Sequence, residues 1–69
     1  MRQWLKELRL TKKTTQQELA NELDVSLSYY NQIENGERQK NLDLSLAAKL
    51  SELFEIPIEW IIQQESKLA

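Results

Sequence analysis

Apolar residues recur along this 69-residue chain at the three- and four-residue spacing of helix faces, and nowhere do they alternate cleanly as in a strand. Trp4, Leu5 and Leu8 give a first helix its apolar stripe, broken by the polar, β-branched run Thr11 to Thr14. Leu19, Ala20 and Leu23 mark a second helix, which Thr15 opens with Glu18 three residues on, the spacing of a capping box. Only Asp24 and Val25 separate it from Ser26, a good N-cap for a third helix whose inward face is Tyr30 and Ile33 and which Asn35-Gly36 ends. That connection is too tight for the two helices to lie antiparallel.

After a polar loop from Glu37 to Asn41, Leu46, Ala47, Leu50, Leu53 and Phe54 follow the i, i+3, i+4, i+7 rule over the longest helix, started by Asn41 or Asp43. Ile56-Pro57 ends it, because the residue before proline is pushed out of the α region. Pro57 suits the first turn of a fifth helix, in which Ile58, Ile61 and Ile62 share a face. The pattern predicts one all-α domain of five helices over residues 1–69, without repeats or an internal linker.

Composition narrows the chemistry. With no Cys and no His, disulfides, a Cys/His zinc site and Cys or His catalysis are excluded, and neither metal nor cofactor is expected. The carboxylates fall on helix surfaces beside bases, and so short a chain has little room for a pocket, so no enzyme or small-molecule site is expected. No apolar run approaches the roughly 20 residues that cross a bilayer, and the charged start MRQWLKELRL is not a leader, so a cytoplasmic protein without membrane contact is expected.

The net charge of -2 and pI near 5.1 argue against a generic nucleic-acid binder, since Lys and Arg supply most of the affinity for phosphates. The distribution qualifies that objection. Residues 1–13 carry Arg2, Lys6, Arg9, Lys12 and Lys13 against Glu7, whereas 14–37 carry five acids and no base; Arg38 and Lys40 follow. Positive charge thus flanks the pair formed by helices two and three.

Five marks in register resemble the helix-turn-helix family of lambda-type phage repressors, Cro proteins and their bacterial relatives: Arg9, T-Q-x-E-L-A at Thr15 to Ala20, V-S at Val25 and Ser26, I-E-N-G at Ile33 to Gly36, and I-x-x-x-W at Ile56 to Trp60. The resemblance runs from Leu5 to Ile62. It implies a five-helix lambda repressor-like DNA-binding domain, with the helix-turn-helix in helices two and three and the third helix in the major groove. It also implies a structural ion pair between Arg9 and Glu34. Ala20 is expected where the two helices cross most closely. Asp24 and Glu55 stand where the family usually has Gly, and Tyr30 fills a position more often aliphatic.

The expected interface follows. With Tyr30 and Ile33 inward, Leu27, Ser28, Asn31 and Gln32 face outward as base-contacting candidates. Gln32 can pair with adenine N6 and N7, Asn31 can do the same or hold a phosphate, Ser28 can bond to several bases, and Leu27 can touch a thymine methyl. Gln16, Tyr29, Asn35, Arg38 and Lys40 are the phosphate-contacting candidates, together with backbone amides near Asn35 and Gly36; solubility is the favoured role of Lys12 and Lys13. One helix reads too few bases, so a homodimer on double-stranded DNA is expected, with Trp60 and Ile61 as its contact candidates. The implied function is a sequence-specific transcriptional regulator of bacterial or phage origin, with a protein-interaction module of the same fold as the competing reading.

Overall fold

The computed structural model describes residues 1–39 and 42–67. Among these are five helices and no strand: α1 (Gln3–Thr11), α2 (Gln16–Leu23), α3 (Leu27–Asn35), α4 (Leu44–Phe54) and α5 (Ile58–Ser66). Each boundary has a local cause. At the start of α2, the Thr15 hydroxyl accepts from the Glu18 amide at 3.1 Å while the Glu18 carboxylate accepts from the Thr15 amide at 3.0 Å, so two orphan donors are satisfied reciprocally. Ser26 caps α3 by accepting from the Tyr29 amide at 3.0 Å. Asp43 occupies the N-cap position of α4, but its carboxylate accepts from the Ser45 hydroxyl rather than from a backbone amide. Pro57 stands one residue ahead of the first turn of α5, as its N-cap.

The turn between α2 and α3 depends on one residue. Asp24 adopts φ +60° and ψ +43°, and its amide donates back toward Ala20 and Asn21, so α2 ends there and the chain turns sharply into α3. Lys13, Gln39 and Glu55 also have positive φ, near +55°, where a side chain ordinarily costs about 1–2 kcal/mol. Lys13 and Glu55 follow the ends of α1 and α4.

Trp4 and Leu5 of α1, Leu19, Ala20 and Leu23 of α2, Tyr30 and Ile33 of α3, Leu46, Ala47, Leu50 and Phe54 of α4, and Ile61 of α5 are buried together. α2 and α3 are the most closely joined pair, and Ala20 between them is wholly buried. A larger side chain there would force the helices apart at about 1–3 kcal/mol. The shared face expected for the isoleucines of α5 divides: Ile61 is in the core, Ile58 packs at its edge, and Ile62 remains 54% exposed.

Candidate nucleic-acid interface

The inner face of α3 fixes its outer face. Tyr30, Ile33 and Glu34 are buried, and a residue on one side of a helix dictates what the opposite side shows. Leu27 (42% exposed), Ser28, Asn31, Gln32 and Asn35 are turned outward, and with Gln16 and Glu37 they line one shallow concavity. The four base-contacting candidates are therefore brought together. Gln16, the first residue of α2, joins them at one edge.

Beneath this surface lies a buried charge. Glu34, 2% exposed, accepts from Arg9 Nε at 3.0 Å, Arg9 Nη2 at 3.2 Å, the Tyr30 hydroxyl at 2.7 Å and Gln16 Nε2 at 3.3 Å. Burial pushes its carboxyl pKa up, but hydrogen bonds from Arg9 and Tyr30, the Arg9 charge and the Gln16 amide outweigh it, leaving the group below the ordinary range. Arg9 moves up, chiefly through its hydrogen bond to Glu34 and against its own burial. The Tyr30 hydroxyl moves strongly up, because burial and the adjacent carboxylate both disfavour a phenolate. Glu34 is thus a carboxylate at neutral pH, able only to accept.

That restriction sets the direction of a chain of side-chain amides. Gln16 must turn its NH2 toward Glu34, so its oxygen accepts from Asn31 Nδ2 at 3.3 Å, and the Asn31 oxygen accepts from Asn35 Nδ2 at 2.9 Å. Asn31, expected to read a base, is here the bridge between Gln16 and Asn35.

At the other end of α3, Gly36 takes φ +83°. The amides of Gly36, Glu37 and Arg38 all donate to the carbonyls of Gln32 and Ile33. The backbone amide of Gly36 is therefore not a free phosphate donor, contrary to expectation, because closing the helix uses it. Arg38 is exposed and its Nε donates to Gln32 Oε1 at 2.9 Å. The Tyr29 hydroxyl accepts from Gln39 Nε2 at 2.8 Å, which ties the flank of α3 to the loop. Lys40 lies outside the described residues.

Arg2 is the largest feature that the pattern of residues does not announce. It is 1% exposed: its Nη1 donates to the carbonyls of Ile33 at 2.7 Å and Arg38 at 3.1 Å, its Nη2 to that of Gln39, and its Nε to Glu65 at 3.0 Å. Glu65 also accepts from Trp4 Nε1 at 2.9 Å. One guanidinium thereby joins α1, the end of α3 and α5. An Arg near the start of a chain carries no sequence mark of such a role, because the groups that satisfy it are backbone carbonyls and a glutamate 63 residues away.

The two dimer candidates of α5 differ. Ile61 is wholly buried in the monomer core and has no surface to offer a partner, which corrects its assignment. Trp60 is half-buried, its ring edge-on to Trp4 with centroids 5.9 Å apart and planes at 83°. A second groove adjoins the Gln16 edge, and Lys6 and Lys13 line it beside Gln16, Leu27 and Asn35. Two lysines there stand at the border of the candidate interface, a placement that helix periodicity alone did not reveal. Among the described residues no cluster of acids suits a metal ion, and no helix is long and apolar enough to cross a membrane.

Residues 5–61 match the family described as Helix-turn-helix, and the tight α2–α3 pair with an exposed α3 lies within that span. The chain belongs to the Helix-turn-helix family. A curated relative of this helix-turn-helix domain is the uncharacterized HTH-type transcriptional regulator YqaF of Bacillus subtilis (strain 168), 44% identical over 45 residues, which are 65% of this chain and 59% of that protein. The aligned stretch thus spans about three fifths of the relative's length. No solved structure matches the chain. Family membership accounts for the five-helix architecture and for the close α2–α3 pair.

Proposed function

We propose that this protein is a sequence-specific transcriptional regulator, a repressor of phage repressor or Cro type, that places α3 in the major groove and binds as a homodimer. The observation that carries this reading is the outer face of α3: from Leu27 to Gln32 it bears no acid, and the amides of Asn31 and Asn35 are held through Gln16 from a buried carboxylate below. Ordered side chains lose little freedom on binding, and that favours a defined site over loose association. Ser28 and Gln32 read base edges in this arrangement, Leu27 meets a thymine methyl, and Asn31 positions Gln16. Gln16, Tyr29, Asn35 and Lys40 hold phosphates, and the placement of Lys6 and Lys13 adds both to that set.

A surface of this kind specifies a site but grips it weakly, since the row is neutral and Glu37 lies in the same concavity. A second subunit supplies the remaining affinity, and the half-buried Trp60 is the candidate contact. The acidic balance of the chain, pI near 5.1, favours a second reading, a protein-interaction module that keeps the fold. Selection of bound duplexes from a random double-stranded DNA pool at low salt separates the two. A recovered, two-fold related site supports the regulator, and recovery of nothing above background supports the interaction module.

A further inference from the structure

One contact on the outer face changes which base the domain should prefer. We propose that Gln32 and Arg38 act as a single donor-rich pair that selects guanine, an inference that rests on the DNA-binding reading above. A glutamine alone reads adenine by accepting from N6 and donating to N7. Here Gln32 Oε1 is already engaged by Arg38 Nε at 2.9 Å. The assignment of that atom is forced, because a guanidinium has only donors and must meet the amide oxygen rather than the NH2.

The pair therefore shows the groove an NH2 from Gln32 and the remaining N–H groups of Arg38. The amide oxygen keeps a second lone pair, but an adenine amino group approaching it would bring its own donors against the guanidinium. Guanine has no such conflict. Its O6 and N7 are both acceptors, matching the Gln32 NH2 and the remaining N–H groups of Arg38.

The position of Arg38 is built into the fold. Its amide donates to the Gln32 carbonyl at 3.2 Å, and its carbonyl accepts from the buried Arg2 at 3.1 Å. The backbone of Arg38 is thus clamped on both sides to the end of α3. Asn31, Asn35 and Gln16 have each committed a donor to a neighbour, leaving the pair as the main uncommitted group of donors on this face. Arg38 then determines specificity, where its charge alone would have suggested a phosphate contact.

The test compares the full chain with R38A and R38K in selections from a random duplex pool, with thermal melts to verify folding; the Arg38 side chain is exposed, so melting should be little changed. The native chain should recover guanine at one position of each half-site. In R38A the preference at that position should move toward adenine, by about tenfold or more, because Gln32 is then free to accept, whereas R38K, whose ammonium can still donate to Gln32, should shift less. Replacing that guanine by 7-deazaguanine should weaken the native chain more than R38A. A uniform loss of affinity with the guanine preference intact would make Arg38 a phosphate contact and overturn the pair, as would adenine at that position in the native selection. A pool that yields nothing removes the DNA-binding reading itself, and the pair with it.

Discussion

Glu34 is nearly sealed from water and still charged, because three side chains donate to it. Glu34→Gln would leave Arg9 without its counter-charge and should destabilise the fold by about 3 kcal/mol, measured by urea unfolding near neutral pH. The sign of the pH effect follows from its lowered pKa. Unfolded, the carboxyl titrates near its ordinary value of about 4.3, so its contribution is complete above that pH and is lost as pH falls through the lower folded value. The gap between native and Glu34→Gln proteins should accordingly narrow as the pH is lowered below that ordinary value; a constant gap would show that the charge of Glu34 is not what stabilises. A second residue-scale effect lies in the positive φ of Glu55. Glu55→Gly removes the cost of a side chain in the left-handed region at the end of α4 and should raise stability by up to about 1 kcal/mol, with DNA affinity unchanged.

Elements are joined here by polar clamps as much as by the core. Arg2 holds the carbonyls at the end of α3, while Glu65 brings α5 to the same guanidinium. Arg2→Ala should cost about 3 kcal/mol. It should also speed amide exchange at Arg38 selectively, since that part of the loop loses its support; uniform acceleration over all helices would show general loosening instead. The capping box of α2, the Ser26 cap and the helical stripes were legible in the residues because each is a relation across three or four positions. The Arg2 clamp was not, because its partners are backbone carbonyls that exist as a set only after α3 has ended and α5 has docked.

The whole molecule measures 26 × 25 × 20 Å along its principal axes over the described residues, less than the roughly 34 Å between successive major-groove faces. On the proposed function, one molecule would therefore reach one half-site. Sedimentation should show a weak dimer that tightens when a two-fold site is added, and a single chain saturating one isolated half-site with full affinity would count against the dimer. Lys13→Gln, at the edge of the candidate interface, should reduce the log-log dependence of affinity on salt by about one per half-site while leaving the selected sequence unchanged. An unaltered slope would return Lys13 to a solubility role.

By itself, the sequence determined the number of helices, the tight α2–α3 turn, the inner face of α3 and the row turned outward, because each depends on spacing along one or two helices. The Arg9–Glu34 pair was implied by the resemblance of those positions to the family. Tertiary structure alone decided that Ile61 is core while Ile62 is open, that the amide of Gly36 is consumed, that Asn31 is a bridge, and that Arg38 meets Gln32. These depend on which donor finds which acceptor across the fold. A hydrogen bond between residues of different elements leaves no period in a sequence, and on this protein such bonds are what order the outer face of α3.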